Sequence, residues 1–165
     1  MSFGLPHLLI LLVALQRLSE LVYARRNDRL LRAAGGVEHG ARHYPILVGL
    51  HTAWLAALFV SVPAGAPLST GPLAGFLLLQ VVRVWTLISL GRFWTTRVIV
   101  VPGSQRVRRG PYRFLRHPNY LVVALEIPLL PLVFDAWPLA LGFGVANLLV
   151  LAWRIRVEER ALAVG

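Results

Sequence analysis

The sequence predicts an all-α integral membrane protein with about five transmembrane helices, the last two forming a kinked helical hairpin, and without a Rossmann domain. Three observations point there. Apolar residues make up 57% of the 165 residues and charged residues 15%, with a mean hydropathy of +0.67, too apolar a balance for a globule with a polar skin. The apolar residues come in long runs separated by short polar segments. Of the seventeen basic residues, all arginine, fifteen cluster in three of those segments.

The first run, Ser2 to Tyr23, can cross about 30 Å of hydrocarbon at about 1.5 Å per residue. It lacks a basic leading segment and a small-residue cleavage site, so it reads as a retained span. Tyr44 to Val62 and Leu73 to Leu90 are the second and third spans, joined by the uncharged, Pro/Gly-rich PAGAPLSTGP. Tyr120 to Phe134 and Trp137 to Trp153 make the final pair around Asp135-Ala136. The fourth run is short for an upright crossing and carries Glu126, Pro128 and Pro131, which predicts a kinked, partly embedded arm. Arg17, Glu20, Arg83 and Glu126 are intramembrane charges, expected to face inward and pair, either lining a cavity or bridging helices.

Five arginines lie between Arg25 and Arg42, seven between Arg92 and Arg116, and three at Arg154, Arg156 and Arg160. Five crossings put all three groups on one side and the uncharged 63–72 turn on the other, which predicts the N-terminus outside and the C-terminus cytoplasmic. The net charge of +10 would suggest nucleic acid in a soluble chain; here most arginines read as topology determinants and lipid headgroup contacts, and no nucleic-acid partner is expected. The lack of cysteine excludes disulfides, thiolate metal sites and a catalytic thiol. The histidines, at positions 7, 39, 43, 51 and 117, show no HExxH or similar spacing, so no metal is expected. Neither GxGxxG after a strand nor GxxxxGK[ST] is present, so no Rossmann or P-loop nucleotide site is expected.

Against this background RGPYRFLRHPNY, residues 109–120, is dense in polar chemistry. Gly110-Pro111 breaks any helix after Arg109, and Pro118 drives His117 out of the helical region while its own fixed φ suits the first turn of a new helix. The peptide must bend at the membrane surface, with the fourth helix starting near Asn119. Its N-terminus presents unpaired N–H groups and partial positive charge. Arg116, His117, Asn119, Tyr112 and Tyr120 around it suit a ligand with a carboxylate, an aromatic base and a hydroxylated sugar. An interfacial belt of aromatics and arginines would not need two prolines at set offsets from a histidine. A second patch, WRIRVEERAL at 153–162, places Arg154 and Glu158 on one helix face. Alone it reads as an end-of-helix ion pair. An antiparallel hairpin, however, returns residue 154 to the side where residue 120 began, so the two patches should meet in one pocket.

RGPYRFLRHPNY, an apolar hairpin and then RIRVEERAL resemble the C-terminal core of the isoprenylcysteine carboxyl methyltransferase family of integral membrane methyltransferases. The shared pattern is G-x-Y, R-H-P-x-Y and R-x-x-x-E-E-x-x-L. ARRNDRLL and GGVEHGARHYPILVGLH are similar to a small bacterial branch resembling alkylpyrone O-methyltransferases. The resemblance implies one membrane-embedded domain over 1–165, with three spans in 1–91 and the cofactor loop, hairpin and tail in 92–165, in a bacterial cytoplasmic membrane. It implies S-adenosylmethionine as cofactor and a hydrophobic, lipid-like acceptor, with membrane lipids as surroundings. By position, Tyr112, His117, Pro118, Asn119, Tyr120 and Glu158 match cofactor contacts. Ser104, Gln105, Arg106 and Val107 fall where an adenosine-contacting loop lies and imply backbone contact. Arg154 matches the arginine that meets the acceptor's anionic group, and Arg116 is a second candidate for that task. Where the family often has Gly two residues after the motif tyrosine, this chain has Val122.

Methyl transfer from a sulfonium is an in-line displacement in which positioning and a dry site are most of what a protein adds. An acidic enolic acceptor needs no strong base. For a weaker acid the nearest bases are Glu38 and His43, expected in a solvated loop, and His51, expected as a hydrogen-bonded helix histidine. Two other classes stay open. HPNY also resembles membrane sterol and steroid reductases, which use NADPH and usually continue with Gly-Glu, whereas here LVVALE leads to Glu126. A small transporter or anionic-lipid scaffold would account for the intramembrane charges and the basic face.

Overall fold

The computed structural model describes residues 3–104 and 107–164. Its five α-helices are α1 (Leu5–Ala33), α2 (Tyr44–Ser61), α3 (Thr70–Leu90), α4 (Pro118–Val133) and α5 (Trp137–Val164). Strands β1 (Val37–His39) and β2 (Val98–Val100) pair antiparallel, and no other sheet occurs among the described residues. The helices α1, α2, α3 and α5 are long and apolar enough to cross a bilayer. At 16 residues, α4 reaches about 24 Å and is the shorter arm. The first helix runs past the end of its apolar stretch to Ala33 because arginine and leucine are good helix formers outside lipid, and it stops where Gly35, at φ 84°, turns the chain.

Helix α4 packs between α3 and α5, while α2 lies against α5 and α1. Its Pro128 and Pro131 sit inside the helix. The chain accommodates the first ring with a glycine on the facing helix: a Cβ at Gly144 would stand 3.4 Å from Pro128 Cβ. Ile10, Trp54, Leu58, Phe76, Ile127 and Leu130 form the shared core. Outward, Leu78, Val81, Ile88 and Leu149 are exposed, a surface that suits hydrocarbon as well as the core does. At the end away from the arginines, Ser69 N donates to Val133 O at 2.8 Å and Ser69 Oγ to Asp135 Oδ1 at 3.0 Å, tying the start of α3 to the hairpin turn.

The four intramembrane charges pair with one another. Arg83 Nε donates to Glu20 Oε1 at 2.6 Å and Arg83 Nη1 to Glu126 Oε2 at 3.1 Å. Arg17 reaches both Glu126 and Glu20. Gln80 Nε2 adds a 2.6 Å bond to Glu126, and Gln16 bonds Gln80 at 2.8 Å. Two cations and two anions make a neutral cluster joining α1, α3 and α4, the form in which charges are tolerated at membrane depth.

Candidate functional site

At the arginine-rich end lies an open-sided cavity of about 410 Å³, lined by the segment from Leu90 to Val101, by Ser104, Val107 and Arg108, by the turn before α4 and its start, and by the C-terminal half of α5. Each wall has a local cause. The third helix ends at Gly91, φ 54°, and the chain leaves it in a 3-10 turn, Gly91–Phe93, held from α1 by Asn27 Nδ2 donating to Gly91 O and Trp94 O at 3.2 and 2.9 Å. A second turn, Gly110–Arg113, is pinned to α3 by Arg109 Nε donating to Ser89 O at 2.6 Å. Pro118 is buried as the first residue of α4, and His117 before it adopts φ −133°, ψ 60°, the displacement from helical geometry that a following proline imposes.

Gly110 has φ +57°, and a Cβ there would fall 2.0 Å from Ser89 Oγ and 3.1 Å from Trp85 Nε1. Gly110→Ala combines left-handed strain with that clash. It is expected to lower stability by about 2–4 kcal/mol, read as a fall in the thermal midpoint in detergent.

The two polar patches meet. The Tyr120 hydroxyl donates to Glu158 Oε2, and Arg154 Nε donates to the same hydroxyl at 2.8 Å. Arg154 Nη1 donates to Thr96 O at 2.8 Å, fastening α5 to the opposite wall. The His117 ring stacks on Tyr120 with centroids 5.3 Å apart and planes 15° apart. His117 Nδ1 lies 3.8 Å from Glu158 Oε1 and its Nε2 3.7 Å from Glu159 Oε1. Burial, reinforced by the charge of Glu158, pushes the Tyr112 phenol above its ordinary value, so it stays protonated as a donor.

Of the residues singled out from sequence, Ser104, Val107, Tyr112, Arg116, His117, Asn119, Tyr120, Arg154 and Glu158 all line this cavity. Arg116 is exposed, whereas Arg154 is buried. Pro118 is not among the lining residues and sets the bend instead. Gln105 and Arg106 lie outside the described residues. Val122 is buried away from the cavity. Arg17, Glu20, Arg83 and Glu126 do not line it either, which favours helix-bridging pairs over a polar lining.

One expectation is corrected. Glu38 does not sit in a solvated loop: it lies on β1 and accepts from Arg97 and Arg32, leaving its side chain 14% exposed. Burial works to raise its pKa, but the two guanidinium partners prevail and hold the carboxyl below its ordinary range. His51 makes a bond within its own helix, Nδ1 to Leu47 O at 2.9 Å. The wall from Trp94 to Val101 carries none of the motifs described above. Its signal was FWTTRVIVV, a short aromatic and β-branched run after a glycine, the composition of a strand.

Residues 72–164 match the isoprenylcysteine carboxyl methyltransferase family, a stretch that contains every residue lining the cavity. The chain belongs to that family. Isoprenylcysteine carboxyl methyltransferase family members are membrane methyltransferases that take the methyl group from S-adenosylmethionine. The chain is also similar to the uncharacterized protein YpbQ of Bacillus subtilis, at 39% identity over 161 residues, covering 94% of this chain and 95% of that protein. An uncharacterized protein of Haemophilus influenzae is 27% identical over 143 residues, 84% of this chain and 83% of its own length. No solved structure matches. For a cofactor of this family the cavity fits in kind: two of its polar atoms, His117 Nε2 and Asn119 Oδ1, are buried with no hydrogen-bond partner among the described residues. Its volume is in the range of small-molecule sites.

Proposed function

We propose that the protein transfers a methyl group from S-adenosylmethionine to an oxygen of a hydrophobic acceptor, an alkylpyrone or related long-chain polyketide, at the inner face of a bacterial cytoplasmic membrane. The observation that carries this reading is the closure of α5 on α4, where Tyr120, His117, Arg154 and Glu158 form one wall of one cavity in a methyltransferase-family chain. In this reading residues 1–165 are one domain. Its first three spans end by residue 91 and the cofactor-handling part follows. The N-terminus faces outward, and the arginine-rich end, where the cavity lies, faces the cytoplasm among anionic lipid headgroups.

When bound, the cofactor supplies an electrophilic methyl on a sulfonium. The chain's own residues then have three tasks. Binding falls to Tyr112, His117, Asn119, Tyr120 and Glu158, with Ser104 and Val107 contacting through their backbone and Pro118 setting the bend that positions them. Carboxylate and hydroxyl groups suit ammonium and ribose partners, and the open nitrogen of His117 suits a further polar contact. Orientation falls to Arg154, whose fork is held by Tyr120 and Thr96 so that its charge faces the cavity; it holds an acceptor oxyanion in line and favours its deprotonated form. Arg116, at the exposed rim, is the second cation for that anion. Exclusion of water falls to the apolar wall, including Leu90, Phe93 and Val98. An enolic pyrone is acidic enough that no general base is required.

Calorimetry of detergent-purified protein against S-adenosylmethionine, S-adenosylhomocysteine and NADPH tests this. Heat with the methyl-cycle ligands and none with NADPH is expected. Heat with NADPH alone selects a reductase, and heat with none of the three selects a transporter or scaffold. His117→Ala should weaken S-adenosylhomocysteine binding by roughly tenfold, the loss of one hydrogen bond and one stacked ring; unchanged affinity would remove His117 from the cofactor set.

A further inference from the structure

The cavity wall from Trp94 to Val100 is held from both sides. On the α5 side, Arg154 Nη1 bonds the Thr96 carbonyl. The opposite hold comes from the part of the chain before residue 72, outside the family match. Asn27 bonds Trp94 O. Strand β2 pairs with β1 in the register Val37 with Val100, Glu38 with Ile99 and His39 with Val98. Between Asn27 and that ladder sits Arg97. Its Nη1 donates to Glu38 Oε1 at 2.5 Å, its Nε lies 3.7 Å from Asp28 Oδ2, and its guanidinium stands 4.2 Å over the Tyr44 ring. Arg32 holds the other carboxylate oxygen of Glu38. Arg97 and its successors Val98, Ile99, Val100 and Val101 line the cavity, whereas Glu38 and Asp28 do not.

Two strands of three residues each are too short to set their own register by backbone pairing. Charge pairing at one defined position does so, because a one-residue slip would turn Arg97 away from both carboxylates and swing Val98 and Val100 off the face they occupy. We propose that Glu38, acting through Arg97, is a positioning residue for the cavity: with Asp28 and Tyr44 it locks the register of β2 and so sets the wall against which the cofactor packs. Glu38 touches neither cofactor nor acceptor in this scheme. The first two helices thereby contribute to cofactor affinity without supplying a cofactor contact. This inference rests on the reading of the cavity as the methyl-donor site.

The test is calorimetric binding of S-adenosylhomocysteine to the full-length wild type, Glu38→Asp and Glu38→Gln, with thermal midpoints measured alongside. Glu38→Gln should raise the dissociation constant by roughly tenfold, the size of effect expected for a lost charge-assisted bond. Glu38→Asp, which keeps the charge, should recover part of that affinity. Asp28→Asn, at the longer contact, is the milder variant should Glu38→Gln fold poorly, and should weaken binding about twofold to threefold. Glu38→Gln within twofold of wild type, or Glu38→Asp no better than Glu38→Gln, overturns the positioning role while leaving the donor site intact. A wild type that does not bind S-adenosylhomocysteine overturns the methyl-donor reading itself, and the two failures are separate readouts.

Discussion

Arg154→Ala is expected to lower kcat by roughly a hundredfold, the loss associated with one preorganised group that stabilises charge in a dry site. The side chain is buried, and its fork is oriented by fixed partners, Nε on the Tyr120 hydroxyl and Nη1 on the Thr96 carbonyl. An arginine held this way presents its charge without reorganising when an oxyanion arrives. Truncation also frees Tyr120 from one of its partners, so cofactor affinity should fall a few-fold. It should not collapse, because Tyr120 keeps Glu158, and His117 and Asn119 are untouched. Arg154→Lys retains charge without the planar fork and should fall between wild type and alanine. Single-turnover rates at saturating donor, with donor affinity measured separately, decide the matter. Full turnover at saturation with donor affinity greatly weakened would make Arg154 a donor ligand and leave the acceptor oxyanion to Arg116.

The second large effect is structural. Arg83→Ala should reduce stability by about 3–5 kcal/mol, the loss expected when one partner of a buried pair is removed and its carboxylates stay behind. Glu20 and Glu126 would face each other with Arg17 as the remaining cation of the cluster, in a site where Glu126 is 1% exposed. A neutralising variant, Arg83→Met with Glu20→Gln, should recover much of the loss, because no charge is then stranded. Thermal unfolding in one detergent gives the ranking. Since none of the four charged residues lines the cavity, protein that remains folded should bind S-adenosylhomocysteine with wild-type affinity. A specific loss of binding at unchanged stability would show that the cluster serves the site and not the helix bundle.

Much of the candidate site was readable because its determinants are local. Pro111 and Pro118 act on their immediate neighbours, so the bend and the start of α4 follow from covalent geometry. The hairpin follows from two apolar runs and a two-residue break, and it carries Arg154 and Glu158 back to Tyr120 wherever the bilayer places it. Glu38 was misread for the opposite reason. Its partner Arg97 is 59 residues away, and nothing in GGVEHG distinguishes a glutamate in solvent from one bonded to two guanidinium groups. The wall at Trp94 to Val101 was overlooked because the arginines around it dominate the segment.

The spans, the arginine-rich end and the proline-bounded corner were determined by sequence alone, since lipid tolerates only backbone that satisfies itself and proline restricts the residue before it in any fold. Tertiary structure decided which charges pair. Arg83 serves Glu20 and Glu126, Arg97 serves Glu38 and Asp28, and Arg154 serves Tyr120 and Thr96. Hydropathy and backbone restriction are properties of neighbours in the chain, whereas an ion pair exists only where folding brings two groups within a few ångströms, and seventeen arginines offer seven carboxylates far more pairings than the packed helices permit.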